Sequence, residues 1–151
     1  MPLSTARISG PFDRDRVAAF LDEAVIPLRL ACVAPSGWPL VVSLWFTRRG
    51  DELVCATQQS SSLVRALEHD LRCAFEVAGQ EPPYRGVRGR ARVTIESDEG
   101  LATLTELVTR YLGGTDSAFA HRLLGRTEPE VVLRLDPVEV SSWDYSRRMA
   151  T

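Results

Sequence analysis

Residues 29–75 read RLACVAPSGWPLVVSLWFTRRGDELVCATQQSSSLVRALEHDLRCAF, and this stretch decides the fold. It contains two apolar runs, residues 29–34 and 39–47, on either side of the turn-forming segment PSGW at 35–38, which is the pattern of a β-hairpin. A second turn contains Gly50, which tolerates a positive φ, and leads into a third apolar run. The sequence therefore predicts three consecutive antiparallel strands.

A serine-rich segment follows the third strand and opens a helix. Residues 58–62 read QQSSS, and apolar residues then recur at helical spacing. A serine is a good N-cap, and the free N–H groups of a helix start can also hold an anion such as a phosphate. The residues alone leave two interpretations open, a capped surface helix or a phosphate site.

Periodicity along the whole chain predicts six strands and four helices. The strands are expected at residues 29–34, 39–47, 52–57, 71–78, 86–96 and 131–140. The helices are expected at residues 13–23, 62–70, 97–112 and 116–124. We expect Asp13 and Ser97 to cap the first and third helices. The first helix belongs to a helical N-terminal lead at 11–24, and residues 141–151 form a polar tail.

Composition indicates one globular domain spanning residues 1–151. The chain is 44% hydrophobic and 25% charged, which is ordinary for a globular protein. A net charge of −2, with scattered basic residues, gives no electrostatic basis for binding nucleic acid. No apolar run approaches the ~20 residues that span a bilayer, and residues 1–10 do not read as a signal peptide. We therefore expect a cytoplasmic protein with no nucleic-acid and no membrane partner.

Side chains for direct catalysis are scarce in this sequence. The three cysteines lie singly inside apolar runs, which predicts buried thiols and no metal site. Every basic residue is arginine, so Schiff-base chemistry through lysine is excluded. His69 and His121 have no nucleophile placed beside them by the sequence. Catalytic residues are therefore unknown, and this scarcity favours an enzyme whose chemistry is carried by a cofactor.

The order of the predicted elements resembles the pyridoxamine 5'-phosphate oxidase-like superfamily, the FMN- and F420-binding split β-barrel proteins. The resemblance covers roughly residues 24–144 and depends on an ordered set of segments. They are PLVVSLWF at 39–46, GDEL at 50–53, Thr57, Ser61, DLRCAF at 70–75, PYRGVRGRA at 83–91 and SWD at 142–144. It implies a mainly β fold with α-helices, a six-stranded split β-barrel with flanking helices that forms a homodimer.

The same resemblance implies a cofactor, FMN or coenzyme F420, with its ring along the backbone of residues 42–44 and its phosphate near residues 57–62. The predicted cofactor-binding residues are Val42, Ser43, Leu44, Thr57, Ser61, Ser62, Leu63, Arg65, Tyr84 and Arg88. Members of the family commonly carry a lysine where this chain has Leu63 and an asparagine where it has Ala66. Arg65 is one candidate to replace the missing cation.

Two features of the sequence each allow two interpretations. Residues 86–96 alternate apolar residues with arginines, which fits either a solvated strand face or arginines that meet acidic groups or a ligand phosphate across a dimer interface. Trp45 and Phe46 fit either core packing or a position beside the cofactor ring.

Two functions therefore remain. The first is a flavin- or deazaflavin-dependent oxidoreductase that transfers a hydride between the cofactor and a small conjugated substrate. The second is a dimeric cofactor-binding or structural split-barrel protein without catalytic turnover.

Overall fold

The computed structural model describes residues 3–150, which form a mainly β fold with four helices. The strands are β1 (Arg7–Ser9), β2 (Leu28–Val33), β3 (Pro39–Leu44), β4 (Thr47–Arg49), β5 (Glu52–Gln58), β6 (Arg72–Ala78), β7 (Arg85–Glu96) and β8 (Glu130–Asp144). The helices are α1 (Arg14–Glu23), α2 (Ser62–His69), α3 (Gly100–Leu112) and α4 (Ala118–Leu124). None of the helices within residues 3–150 is both long enough and apolar enough to cross a membrane.

The strands form one sheet in the order β3-β2-β6-β7-β8-β5-β4, with β1 added parallel to β8. All other neighbouring strands are antiparallel. The end strands β3 and β4 are consecutive in the chain and are not hydrogen-bonded to each other. The prediction of a six-stranded barrel is therefore wrong for the part of the chain that is described, because eight strands form a sheet that does not close.

The break between β3 and β4 has a physical cause that the sequence pattern does not show. Phe46 is fully buried, and its N–H donates to the hydroxyl of Tyr111 at 3.2 Å instead of to a strand partner. The predicted strand at 39–47 is thereby divided at Trp45 and Phe46. The other additional strand, β1, has only three residues, too few to show a period of two.

Strand β8 spans the sheet from β5 to β1. Its residues 130–135 pair with β5 and residues 139–141 pair with β1, while β7 lies along its other edge. Pro137 lies between these two partners, where the register with β7 also shifts. A proline lacks the donor that a ladder needs and is tolerated at such an irregularity. The predicted polar tail is shorter than expected, because β8 continues to Asp144.

Strand β7 has the predicted alternation. Its residues 87, 89, 91 and 93 are buried, and its arginines at 88, 90 and 92 are exposed. Gly89 is required by packing, because a Cβ there would lie 2.7 Å from a ring carbon of Phe75 and closer still to the carbonyl oxygen of Glu139. Only glycine lets β6, β7 and β8 approach this closely.

The helix starts confirm one predicted cap and correct another. The side chain of Asp13 accepts a hydrogen bond from the N–H of Arg16 at the start of α1. Ser97 does not cap α3, which begins instead after Glu99, in the left-handed conformation with φ 62°. Packing fixes this start, because a Cβ on Gly100 would lie 2.6 Å from the carbonyl carbon of Glu130.

The three cysteines are buried, as predicted. Burial raises the pKa of the Cys55 thiol and raises that of Cys73 to about 12. Because the thiolate is the reactive form, these thiols are packing groups of the core.

Candidate functional site

A cavity of about 240 Å³ opens where β3 passes β5 without pairing with it. We call it the seam pocket. Helices α3 and α4 cover its other side. Its lining residues are Ser43, Leu44, Trp45, Ala56, Thr57, Gln58, Leu104, Leu107, Phe119, Leu123, Arg126 and Glu130.

One wall of the seam pocket is apolar and built around Trp45. The Trp45 ring stacks on Tyr111, with ring centroids 5.0 Å apart and an interplanar angle of 8°. The Tyr111 hydroxyl donates to the carbonyl of Ile26 at 2.8 Å while accepting the N–H of Phe46, so the tyrosine of the stack is held in place. A fixed aromatic surface beside leucines suits a flat conjugated ring.

The opposite wall is polar and carries an ion pair. A guanidinium nitrogen of Arg126 lies 3.5 Å from the carboxylate of Glu130, and the two side chains are 40% and 6% exposed. Burial raises the pKa of Glu130, Glu128 adds to this effect, and the charge of Arg126 opposes it. Desolvation therefore disfavours ionisation of Glu130, while the neighbouring charge of Arg126 favours it.

The segment 126–130 is also hydrogen-bonded to the turn before α2. The N–H of Gln59 donates to the carbonyl of Pro129 at 3.0 Å. The N–H of Ser60 donates to a carboxylate oxygen of Glu128 at 3.1 Å, and the Ser60 hydroxyl donates to the same oxygen. The carboxylate of Glu128 therefore accepts hydrogen bonds from both donors of Ser60, next to the start of α2.

The structure brings together some of the predicted cofactor-binding residues. Ser43, Leu44 and Thr57 all line the seam pocket. Val42 is partly buried against the core from the same strand. These positions agree with a ligand ring placed along β3.

The predicted phosphate-binding residues have varied roles. The Ser61 hydroxyl caps α2 by accepting the N–H of Val64 at 3.2 Å, as expected for a capped helix. Ser62 and Arg65 are exposed. Leu63 is only 3% exposed and belongs to the core, and Ala66 is fully buried. The side chain at position 63 therefore packs in the core of this chain.

Tyr84 and Arg88 lie away from the seam pocket of their own chain. Tyr84 is exposed, and its carbonyl accepts the N–H of Tyr145 at 2.9 Å. Arg88 lies over the ring of Trp143, with 4.5 Å between the guanidinium carbon and the ring centroid. Neither residue lines the seam pocket, so their predicted role requires a second subunit.

A second, wider concavity of about 670 Å³ lies on the outer face of β2, β3, β6, β7 and β8. We call it the outer face. Its centre is formed by Ala31, Val41 and Ala74, and its charged residues are Arg7, Arg29, Glu76, Arg88, Arg90 and Glu139. Arg90 pairs with Glu139 at 3.1 Å, and Arg7 pairs with the same carboxylate. One arginine of the β7 stripe therefore meets an acidic group within its own chain.

The sequence reasoning missed the residues from the α4 to β8 segment and from α3. Arg126, Glu128 and Tyr111 come close to β3 and β5 only through the tertiary fold.

Solved structures share this fold. A conserved hypothetical protein, Rv2991 from Mycobacterium tuberculosis, aligns with a TM-score of 0.76 and 21% identity over 93% of this chain and 90% of that chain. An F420 reductase aligns with a TM-score of 0.65 and 26% identity over 80% of this chain and 93% of that one. The heme storage protein HutZ from Vibrio cholerae aligns with a TM-score of 0.61 and 16% identity, over 82% and 88% of the two chains.

The family can be assigned from the sequence as well. Curated protein sequences include no significant match to this chain. The family model described as pyridoxamine 5'-phosphate oxidase, however, matches residues 13–142. Because this match covers most of the chain and the fold agrees with it, the protein belongs to the pyridoxamine 5'-phosphate oxidase family.

Proposed function

We propose that this protein is an oxidoreductase that uses FMN or coenzyme F420 to transfer a hydride to or from a small conjugated substrate. Family membership and the 26% identity to an F420 reductase support a flavin or deazaflavin. The observation that carries the proposal is the seam pocket, where Ser43, Leu44 and Thr57 face a stacked aromatic wall. When bound, the cofactor supplies the hydride chemistry.

The residues of this chain bind and shield the cofactor ring. The backbone of residues 42–44 would hold the ring, and Trp45, stacked on Tyr111, would form one side of its pocket. Leu104, Leu107 and Phe119 from the covering helices would supply apolar contacts to the ring. At about 240 Å³, the pocket is smaller than the ~300–1,000 Å³ of most ligand sites, so a whole cofactor would extend beyond it.

The test is a titration of the purified protein with FMN and with F420, followed by tryptophan fluorescence. We expect saturable quenching by one cofactor, because Trp45 lies beside the bound ring. Quenching is expected to persist in Trp38→Phe, since Trp38 is 77% exposed at a hairpin tip, and to fall sharply in Trp45→Phe. Flat titrations with both cofactors would remove the proposal.

A homodimer is part of the proposed function, because a second subunit would supply the remaining cofactor contacts. On the outer face Val41 is 64% exposed, and the same surface carries both arginines and glutamates, so two copies related by a two-fold axis could pair opposite charges across it. We expect light scattering at micromolar concentration to give twice the 16.7 kDa of one chain. A mass of one chain would contradict this proposal.

A cofactor-binding or structural protein without turnover is the second candidate. The buried Leu63 and Ala66 favour it, because they replace a cation and an amide common in the family. The same fold also occurs in a heme storage protein. Cofactor that binds but is never reduced or oxidised by small conjugated substrates, such as quinones, would support this candidate over the enzyme.

A further inference from the structure

We propose that the segment 126–130 contains the anion-recognition element of the seam pocket. In this proposal Arg126 pairs with the phosphate of the bound flavin or deazaflavin. Glu128 holds the donors of Ser60 until that phosphate replaces it. The inference rests on the proposed function, since it concerns the same cofactor.

The seam pocket contains a cation that could meet the phosphate. Among residues 3–150, Arg126 is the one basic side chain that lines the seam pocket. Its ion-pair partner Glu130 lies 3.5 Å away and has a raised pKa because it is buried. A guanidinium has five donors, so most of the hydrogen-bonding capacity of Arg126 is available to a ligand. Leu63 lies in the core and Arg65 does not line the seam pocket, so Arg126 is the cation that the pocket itself offers.

A carboxylate of this chain already occupies the place proposed for the phosphate. The Ser60 N–H and hydroxyl both donate to Glu128, so two donors are directed at a negative group. The segment that carries Glu128 is joined to the turn before α2 by the bond from Gln59 to Pro129. Ser60 and Arg126 therefore lie on two connecting segments that are hydrogen-bonded to each other.

The charges of the segment 126–130 explain why a carboxylate would have to be displaced. When all three are ionised, Arg126, Glu128 and Glu130 sum to −1, which repels a dianionic phosphate. A phosphate that entered without displacing a carboxylate would meet two like charges. Exchange of the phosphate for Glu128 at Ser60 would move one of these carboxylates away from the ligand and give the ligand the Ser60 donors. Arg126 and Glu128, two residues apart in one segment, are thus expected to have opposite effects on affinity for the phosphate.

The experiment compares phosphorylated and non-phosphorylated forms of each cofactor. FMN and riboflavin form one pair, and F420 and its dephosphorylated deazaflavin riboside form the other. We expect Arg126→Leu to weaken binding of the phosphorylated form about tenfold to hundredfold, because a charge-assisted contact is lost. Arg126→Lys should restore part of this loss. Binding of the non-phosphorylated form should not change.

Glu128→Gln provides the opposite readout. Since an amide competes less well for the Ser60 donors and adds no negative charge, the phosphorylated form should bind about tenfold more tightly. Arg147→Leu removes the same positive charge as Arg126→Leu, from an exposed position outside the pocket, and serves as the matched control for that variant, with no expected change. Thermal melts of each variant establish that it is folded, and Arg126→Gln replaces Arg126→Leu if the latter is not.

The outcomes separate the two proposals. Wild-type binding of FMN or F420 that is unaffected by Arg126→Leu and Glu128→Gln would overturn the anion-recognition element while leaving the proposed function intact. Equal weakening of the phosphorylated and non-phosphorylated forms would also overturn it, as would a loss caused by Arg65→Leu in place of Arg126→Leu. Absence of binding to the wild type would overturn both proposals.

Discussion

Leu63→Lys is expected to lower the free energy of unfolding by at least about 3 kcal/mol, because a charge is buried without a partner. Leu63 is 3% exposed and lies on the core face of α2 with Val64, Ala66 and Leu67. The substitution restores the cation common in the family at this position, yet the side chain faces the core. We therefore expect no gain in affinity for FMN. Urea denaturation followed by circular dichroism measures the effect.

Two controls isolate burial from charge. Leu63→Met keeps volume and polarity and should cost less than about 1.5 kcal/mol. Ser62→Lys places the same charge on the exposed neighbouring residue and should change stability by no more than about 0.5 kcal/mol. A Leu63→Lys protein with wild-type stability and tighter FMN binding would show that α2 turns this residue toward the ligand.

Gly89→Ala is the second substitution with a large expected effect. The added methyl group would overlap the Phe75 ring, at 2.7 Å, and the backbone of Glu139. Because the backbone of β8 cannot move aside as a side chain can, β7 and β8 must separate. We expect a loss of about 3 kcal/mol or more, at the upper end of overpacking costs, or failure to fold.

The matched control for this substitution is Gly114→Ala. No atom lies within 4 Å of a Cβ at Gly114, and its φ is not positive. It should leave the midpoint of urea denaturation nearly unchanged. Equal effects of the two substitutions would mean that packing around Gly89 can relax, so that close approach of the strands is not what requires glycine there.

Local periodicity was sufficient to predict much of the sheet. The hairpin of β2 and β3 and the alternation in β7 follow from a period of two that the residues carry themselves. The break at Trp45 and Phe46 could not be predicted in this way. It depends on a hydrogen bond from Phe46 to Tyr111, 65 residues further along the chain.

The candidate site was predictable only on its strand side. Ser43, Leu44 and Thr57 were named because the resemblance places them in order along β3 and β5. Arg126 and Glu128 act from a loop whose position is set by the docking of α3 and α4, which no local pattern encodes. Tertiary contacts of this kind account for most of what the sequence left open.

Strand β8 follows every other strand in the chain, yet it pairs with β1, β5 and β7. During synthesis, β7 and β5 emerge from the ribosome without the partner that lies between them in the finished sheet. Their unpaired edges stay exposed until residues 130–144 appear. Pairing between segments so distant in sequence is slow, and open edges in that interval invite association with other chains. We therefore expect a nascent chain of this protein to be most open to association with other chains before β8 has been translated.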